Sequence, residues 1–197
     1  MRSSFKLRRR ALLVCAALLC APAAQAMDMS VRGSTAFLSG EIKPGDEFKL
    51  RALLRGNKIS VIELSSPGGF IDPAREMARD IRKAGLTTYV NAAKERCSSA
   101  CTGLFVAGVR RHFVNSEGKD RLDGRPAGLG FHAGNGFNAS GRRAQSGPAT
   151  ADMIDLYYEM GAPAAADFAQ NAPSNGMFYI SGATATAKGI ATSLSAP

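Results

Sequence analysis

Histidine and cysteine are scarce in this sequence, and the shortage limits the chemistry that the chain can support. Its 197 residues include two histidines, His112 and His132, and four cysteines. A zinc site that combines both histidines with Cys97 and Cys101 is disfavoured, because the cysteines share one tight turn and the histidines lie far apart in the chain. The Ser-Pro-Gly-Gly segment lacks the further glycine or Lys-Ser/Thr pair of a phosphate-binding loop. The sequence therefore predicts no metal and no organic cofactor.

Acidic residues are absent from the first ten positions, which hold five of the 25 lysines and arginines. An apolar run from Ala11 to Ala21 follows, and Ala24-Gln25-Ala26 has the small-x-small pattern of a cleavage site. We therefore expect residues 1–26 to be a secretory signal peptide that is removed before Met27. An uncleaved anchor is the alternative, although the run is shorter than the ~20 apolar residues of a membrane span. A lipid-anchored Cys20 is disfavoured because a leucine, not a small residue, precedes it.

Removal of this segment changes the charge of the chain. The formal net charge is +9, but without the five N-terminal cations 20 basic residues face 16 acidic ones, which leaves +4. Most of the basicity is thus expected to serve targeting, and nucleic-acid binding is not indicated. Residues 27–197 are predicted to form a single domain, located in the periplasm or secreted, with no stable membrane insertion after the signal is removed.

Strand-like and helix-like patterns alternate along this domain. Such alternation predicts an α/β fold with largely parallel strands flanked by helices. The predicted strands are 59–64, 86–91, 110–114 and 177–180, with a short strand or hairpin within 27–42. The predicted helices are 46–55, 73–83, 100–108, 151–160, 163–170 and 184–189. The segment 115–150 is expected to be a Gly- and Arg-rich loop with a short strand near residues 129–132.

Cys97 and Cys101 are the two cysteines left after signal removal. In an oxidising compartment a disulfide between them is favoured. Residues four apart on a regular helix hold their Cβ atoms wider apart than a disulfide prefers. The bridge therefore predicts a sharp turn at residues 97–101, before the helix is established.

Two serines and two histidines are candidates for nucleophilic catalysis. Ser98 and Ser99 lie at the predicted start of a helix, where a serine either caps the helix or serves as a nucleophile. His132 ends a short apolar strand, which is where functional groups gather in α/β folds. His112 lies between arginines and a strand-like segment, which favours a surface or strand-end role. From the residues alone these alternatives stay open.

The elements follow one another in this order: a strand, Ser66-Pro67-Gly68-Gly69, a helix, a second strand, Ser99 at the start of a helix, and a histidine after an apolar strand. In this order the chain resembles the Clp-type serine peptidases of the crotonase-like (ClpP/crotonase) superfamily. It is most similar to secreted bacterial members with the nucleophile inside Cys-x-Ser-Ala-Cys. The resemblance implies a ββα-spiral domain, Ser99 as nucleophile and His132 as general base. It also implies an oxyanion hole made by the backbone N–H groups of Gly68 and Ala100, with Gly69 as a further candidate donor.

The third member of the catalytic set departs from the family pattern. The resemblance places it within residues 171–174, where no carboxylate occurs. Asn171 could orient the imidazole through its side-chain carbonyl, and Asp167, Asp152 and Asp155 are more remote options. The site is therefore expected to be a Ser-His dyad or an incomplete triad.

The resemblance implies that the chain is a serine hydrolase that acts on peptides or unfolded polypeptides. The resemblance also allows the chain to form a homo-oligomer. A non-catalytic binding or assembly module on the same fold is the main alternative. An acyl-CoA enzyme is a weaker one, because that cofactor is cytosolic and Ser99 would have no role.

Overall fold

In the computed structural model, residues 26–124, 126–172 and 176–197 are described, so the predicted signal peptide lies almost entirely outside these ranges. Within these ranges the chain forms six helices and eleven strands. The helices are α1 (Asp46–Gly56), α2 (Ile71–Lys83), α3 (Ala100–Ala107), α4 (Gly147–Glu159), α5 (Pro163–Asn171) and α6 (Gly182–Ala187). The strands are β1 (Asp28–Arg32), β2 (Thr35–Ser39), β3 (Val61–Ser65), β4 (Thr87–Asn91), β5 (Arg96–Ser98), β6 (Arg110–Val114), β7 (Arg121–Leu122), β8 (Gly128–Phe131), β9 (Asn135–Phe137), β10 (Arg143–Gln145) and β11 (Phe178–Ile180).

The central sheet has five strands in the order β1-β2-β3-β4-β6. Its β2-β3, β3-β4 and β4-β6 pairs are parallel, and β1 joins as an antiparallel edge strand through a hairpin. Parallel neighbours need crossover connections, and α1, α2 and α3 lie within these connections. The predicted α/β class with largely parallel strands is confirmed for this sheet.

A second sheet of four strands has the order β5-β8-β11-β7, and β9 pairs with β10 in a separate hairpin. In the second sheet β5 and β8 are parallel, whereas β11 is antiparallel to β8 and to β7. A bridge between Ser66 and Cys97 joins the two sheets. The end of β3 is therefore held beside β5, at the point where both strands pass into helices.

The expected loop over residues 115–150 contains more regular structure than its composition indicates. It holds β7 to β10 and the first turn of α4, which starts at Gly147 and not near residue 151. The earlier start has a local cause: the Ser146 hydroxyl accepts a hydrogen bond from the Ala149 N–H group, and Pro148 occupies the first turn.

The buried apolar residues form one core that extends from Met27 to Ala191. Helix α3 is entirely buried, between the sheets, α2 and α4. Close packing of α3 on α4 depends on Gly103, since a Cβ atom there would come within 2.5 Å of a Leu156 methyl group. No helix in the described ranges is long and apolar enough to cross a membrane.

Candidate active site

Ser99 occupies the corner between β5 and α3 in a backbone conformation that side-chain-bearing residues rarely adopt. Its φ is 56° and its ψ is −131°. Such a residue is strained by about 1–3 kcal/mol and persists only where its surroundings fix it. A strained strand-to-helix turn is also the geometry that exposes a nucleophilic serine in other hydrolase folds. The Ser99 side chain makes no capping hydrogen bond, so the alternative in which it is a helix cap receives no support.

Hydrogen bonds hold the Ser99 peptide units on both sides. The Ser99 N–H group donates to the Gly130 carbonyl at 2.9 Å. The Ser99 carbonyl accepts from the backbone N–H group of Thr102 at 2.9 Å and from its hydroxyl at 2.6 Å. That hydroxyl also lies 2.6 Å from the buried Tyr157 hydroxyl, and burial raises the pKa of Tyr157, so the phenol stays neutral. These contacts fix the turn.

The predicted disulfide joins Cys97 to Cys101 across this turn. Both cysteines are fully buried, and Ser99 is the middle residue of the loop that they close. Helix α3 begins at Ala100, so the bridge joins β5 to the first turn of α3 across the corner. The bridge thus constrains the segment that carries the strained serine.

The Ser66-Pro67-Gly68-Gly69 segment lies directly against this corner. Gly68 has φ +93°, and a Cβ atom there would lie 2.6 Å from the Ser98 carbonyl oxygen and 2.7 Å from the Ser99 Cβ. Only glycine permits this approach. The segment therefore brings backbone amides beside the Ser99 hydroxyl.

The backbone N–H groups of the three predicted oxyanion residues are not equivalent. The Gly68 N–H group donates to the Ser66 hydroxyl at 3.0 Å and is already engaged. The N–H groups of Gly69 and Ala100 make no hydrogen bond within the described residues. Ala100 is also the first residue of α3, where N–H groups are unpaired and the helix dipole favours an anion. The arrangement thus favours Gly69 and Ala100 as oxyanion donors over Gly68, the glycine that the family resemblance implies first.

Ser99 and His132 line the same surface cavity, which has a volume of about 300 Å³. Gly68, Gly69 and Ala100 line it as well. Its remaining walls are mostly apolar, with one acidic residue: Glu41, Pro67, Phe70, Ile71, Gly134, Asn135, Gly136, Ala149 and Met153. The cavity therefore contains a hydroxyl, an imidazole and backbone donors together.

Strand pairing explains how residues 99 and 132 come to line one cavity. β5 and β8 are parallel neighbours, with Ser98 opposite Gly130. The corner after β5 and the residue after β8 thus reach the same edge of the sheet. His132, which is half-buried, follows the last residue of β8 directly.

His112 lies elsewhere. It belongs to β6, and its Nδ1 atom is 2.7 Å from the Ser195 carbonyl oxygen. It does not line the cavity. His112 is the middle residue of β6 and is only partly buried, so its position matches the surface role of the two that the sequence indicated and not a strand end.

The candidates for the third catalytic member do not line the cavity. Asn171 is exposed at the end of α5 and donates its side-chain amide to the Asp167 carbonyl at 2.9 Å. Asp152 pairs with Arg75 at 3.3 Å, and Asp155 and Asp167 are exposed. Positions 173–175 lie outside the described residues. The orienting role of Asn171 stays a prediction.

No group of three or more histidine, cysteine, aspartate or glutamate side chains is placed to hold a metal within the described ranges. A hydroxyl, a base and two amide donors are the components of nucleophilic acyl transfer.

Solved structures share this arrangement of sheets and helices at low sequence identity. A serine-to-alanine mutant of the membrane-bound stomatin-specific protease 1510-N superimposes with a TM-score of 0.58 at 14% identity, over 84% of this chain and 81% of its own. Another mutant of that protease, in complex with a substrate peptide, gives 0.57 at 16% identity, over 81% of this chain and 73% of its own. A mutant of ClpP1 from Listeria monocytogenes gives 0.52 at 14% identity, over 83% and 92%.

The chain has the Clp-type peptidase fold. The fold expected from the sequence resemblance is therefore confirmed. No protein-family model matches the sequence, and a search of curated proteins finds no significant match. At these identities the likeness establishes the Clp-type fold alone, and function has to be argued from the cavity.

Two features of the site were missed by the sequence analysis. β5 was not predicted, because three residues are too few to show an alternating pattern. Glu41 and Phe70, which also line the cavity, were not considered as site residues. Glu41 precedes Ile42 and Phe70 follows Gly69, and Ile42 and Gly69 form an isolated β-bridge. The only signal for Phe70 was its position directly after the two glycines.

Proposed function

We propose that this chain is an exported serine hydrolase, located in the periplasm or secreted, that cleaves peptides or unfolded polypeptides. One observation carries the proposal. Ser99 has a strained backbone at a strand-to-helix corner, and its cavity is also lined by His132 and by two backbone N–H groups that have no acceptor among the described residues.

In the proposed reaction the Ser99 hydroxyl attacks the substrate carbonyl carbon while His132 accepts the hydroxyl proton. The carbonyl oxygen becomes an oxyanion that accepts hydrogen bonds from Gly69 and Ala100. When the tetrahedral intermediate collapses, His132 gives the proton to the leaving amine and an acyl-enzyme remains. Water, deprotonated by His132, then hydrolyses the ester and restores Ser99. Atoms and protons balance without a cofactor.

The walls of the cavity indicate what it accepts. Phe70, Ile71 and Met153 supply apolar surface, and Phe70 is 44% exposed at the opening. A volume of about 300 Å³ is at the low end of ligand pockets. We infer that it holds one apolar substrate side chain next to the scissile bond. The peptide bound to the stomatin-specific protease supports this substrate class by fold analogy only.

A peptide-binding module without catalysis is the second candidate. It is favoured by one observation: among the described residues that line the cavity, Glu41 is the single acidic residue and no aspartate occurs. Loss of the orienting acid lowers the rate by about 10⁴-fold in a serine protease. A dyad without such an acid would be slow but would retain its nucleophile.

Covalent labelling separates the two candidates. We expect a fluorophosphonate probe to form a 1:1 adduct with the protein, because the probe reports an activated serine and not ordinary hydroxyls. Ser99→Ala should abolish the adduct. Ser98→Ala is the matched control, since Ser98 is the adjacent serine but is buried, and this variant should label normally.

Intact-mass spectrometry measures the adduct in each variant. Absence of labelling in the unaltered protein, or equal labelling of the Ser99→Ala variant, would favour the binding module.

A further inference from the structure

Asp46 is a fully buried carboxylate at the first residue of α1. Its Oδ2 atom accepts a hydrogen bond from the Lys43 N–H group at 2.8 Å and one from the Met27 backbone nitrogen at 3.2 Å. Its Oδ1 atom pairs with the Lys49 ammonium group at 2.9 Å, but the Lys49 side chain is 51% exposed. A buried carboxylate is costly unless it is paired, and the Lys49 side chain that pairs with it is half in solvent.

At the predicted cleavage site the described chain changes from an exposed residue to a buried one. Ala26 is exposed, whereas Met27 is 3% exposed and belongs to the hydrophobic core. Ala26 makes no hydrogen bond to any described residue. Hydrolysis of the bond between them would therefore break no hydrogen bond among the described residues.

We propose that Asp46 is the binding site for the α-ammonium group that signal removal creates at Met27. Water cleaves the peptide bond: its oxygen bonds to the Ala26 carbonyl carbon, which leaves as a carboxylate, and its two hydrogens end on the Met27 nitrogen, which becomes an ammonium group. The nitrogen already lies within hydrogen-bond distance of Asp46, so a full positive charge replaces a neutral amide without movement of the chain. The Met27 side chain anchors it there.

The consequence is that processing stabilises the fold. Charge-assisted hydrogen bonds are roughly twice as strong as neutral ones, and the pair is shielded from solvent. The mature domain should be more stable than the same domain with additional residues before Met27. This inference depends on cleavage after Ala26 and is independent of the catalytic proposal.

The test uses the full precursor, expressed in a bacterial host that exports and processes it. A second precursor carries two extra residues, Ala-Gly, between Ala26 and Met27, so that processing leaves the ammonium group two residues away from Asp46. We expect the native protein to begin at Met27 by mass spectrometry. We expect the extension to lower the melting temperature by about 5 °C, as loss of a partly desolvated ion pair would do.

Two further variants assign the effect to Asp46. In Asp46→Asn the extension should have no effect on the melting temperature. Glu47→Gln is the matched control, because it removes a carboxylate from the same helix turn. The Glu47 carboxylate accepts a hydrogen bond from the Gly45 N–H group and not from Met27. The extension should therefore still lower the melting temperature of the Glu47→Gln variant. If Asp46→Asn does not fold, the extension in the unaltered background decides alone. A native N-terminus other than Met27, or equal melting temperatures with and without the extension, would overturn the proposal.

Discussion

Replacement of His132 by glutamine is expected to lower the rate of fluorophosphonate labelling at Ser99 by about 10²–10⁴-fold. The reason is that the Ser99 hydroxyl is a poor nucleophile until a base removes its proton. Among the described residues that line the cavity, His132 has the side chain best suited to act as the general base. Glutamine keeps a similar size and can still form hydrogen bonds, but it cannot accept the proton.

The chain offers a matched control in its other histidine. His112→Gln changes the same residue type in β6, where Nδ1 contacts the Ser195 carbonyl oxygen at 2.7 Å. This variant should label at the unaltered rate. The measurement is the second-order rate constant of labelling, with circular dichroism to verify folding. Equal rate losses in both variants would show that the effect is structural and that His132 is not the base.

Gly68→Ala is expected to produce the second large effect, on both stability and labelling. The new methyl group would lie 2.6 Å from the Ser98 carbonyl oxygen and 2.9 Å from the Ala100 nitrogen, which are backbone atoms that cannot rotate away. Overpacking of this kind and left-handed strain each cost about 1–3 kcal/mol, so we expect the melting temperature to fall by about 10 °C. Displacement of Ser99 by about 1 Å should also reduce the labelling rate by about 10²-fold.

Gly124→Ala separates the clash from the backbone strain. Gly124 has φ +91°, close to the +93° of Gly68, but a Cβ atom there would meet nothing within 4 Å. Thermal melts and labelling rates of the two variants are compared. Gly124→Ala should lose a few degrees and label normally. Similar behaviour of the two variants would mean that contact between the glycine segment and the Ser99 corner does not position the nucleophile.

Much of the fold could be predicted because its signals are local. The strand Arg110–Val114 was predicted with its observed bounds, and α2 and α3 within two residues. β-Branched runs, apolar spacing and turn residues lie close together in sequence. β5 could not be found in this way, because it exists through its pairing with β8, and that contact is distant in sequence.

The residues of the site could be predicted from the sequence, but which of their backbone N–H groups lack an acceptor could not. Glycines after a strand and a serine between two cysteines indicate an acyl-transfer corner. Which glycine offers a free N–H group depends on the Ser66 hydroxyl, which takes the hydrogen bond of Gly68 and leaves Gly69. That choice is made by a side-chain rotamer in the folded chain, and no local pattern in the sequence encodes it.

The most direct test of a Ser99 nucleophile with Gly69 and Ala100 as oxyanion donors is a crystal structure of the fluorophosphonate-treated protein. The tetrahedral phosphonyl group mimics the intermediate of acyl transfer. We expect phosphorus bonded to the Ser99 Oγ atom, with a phosphonyl oxygen about 2.7–3.1 Å from the nitrogens of Gly69 and Ala100. A phosphonyl group on another residue, or an oxygen directed away from both nitrogens, would contradict the account.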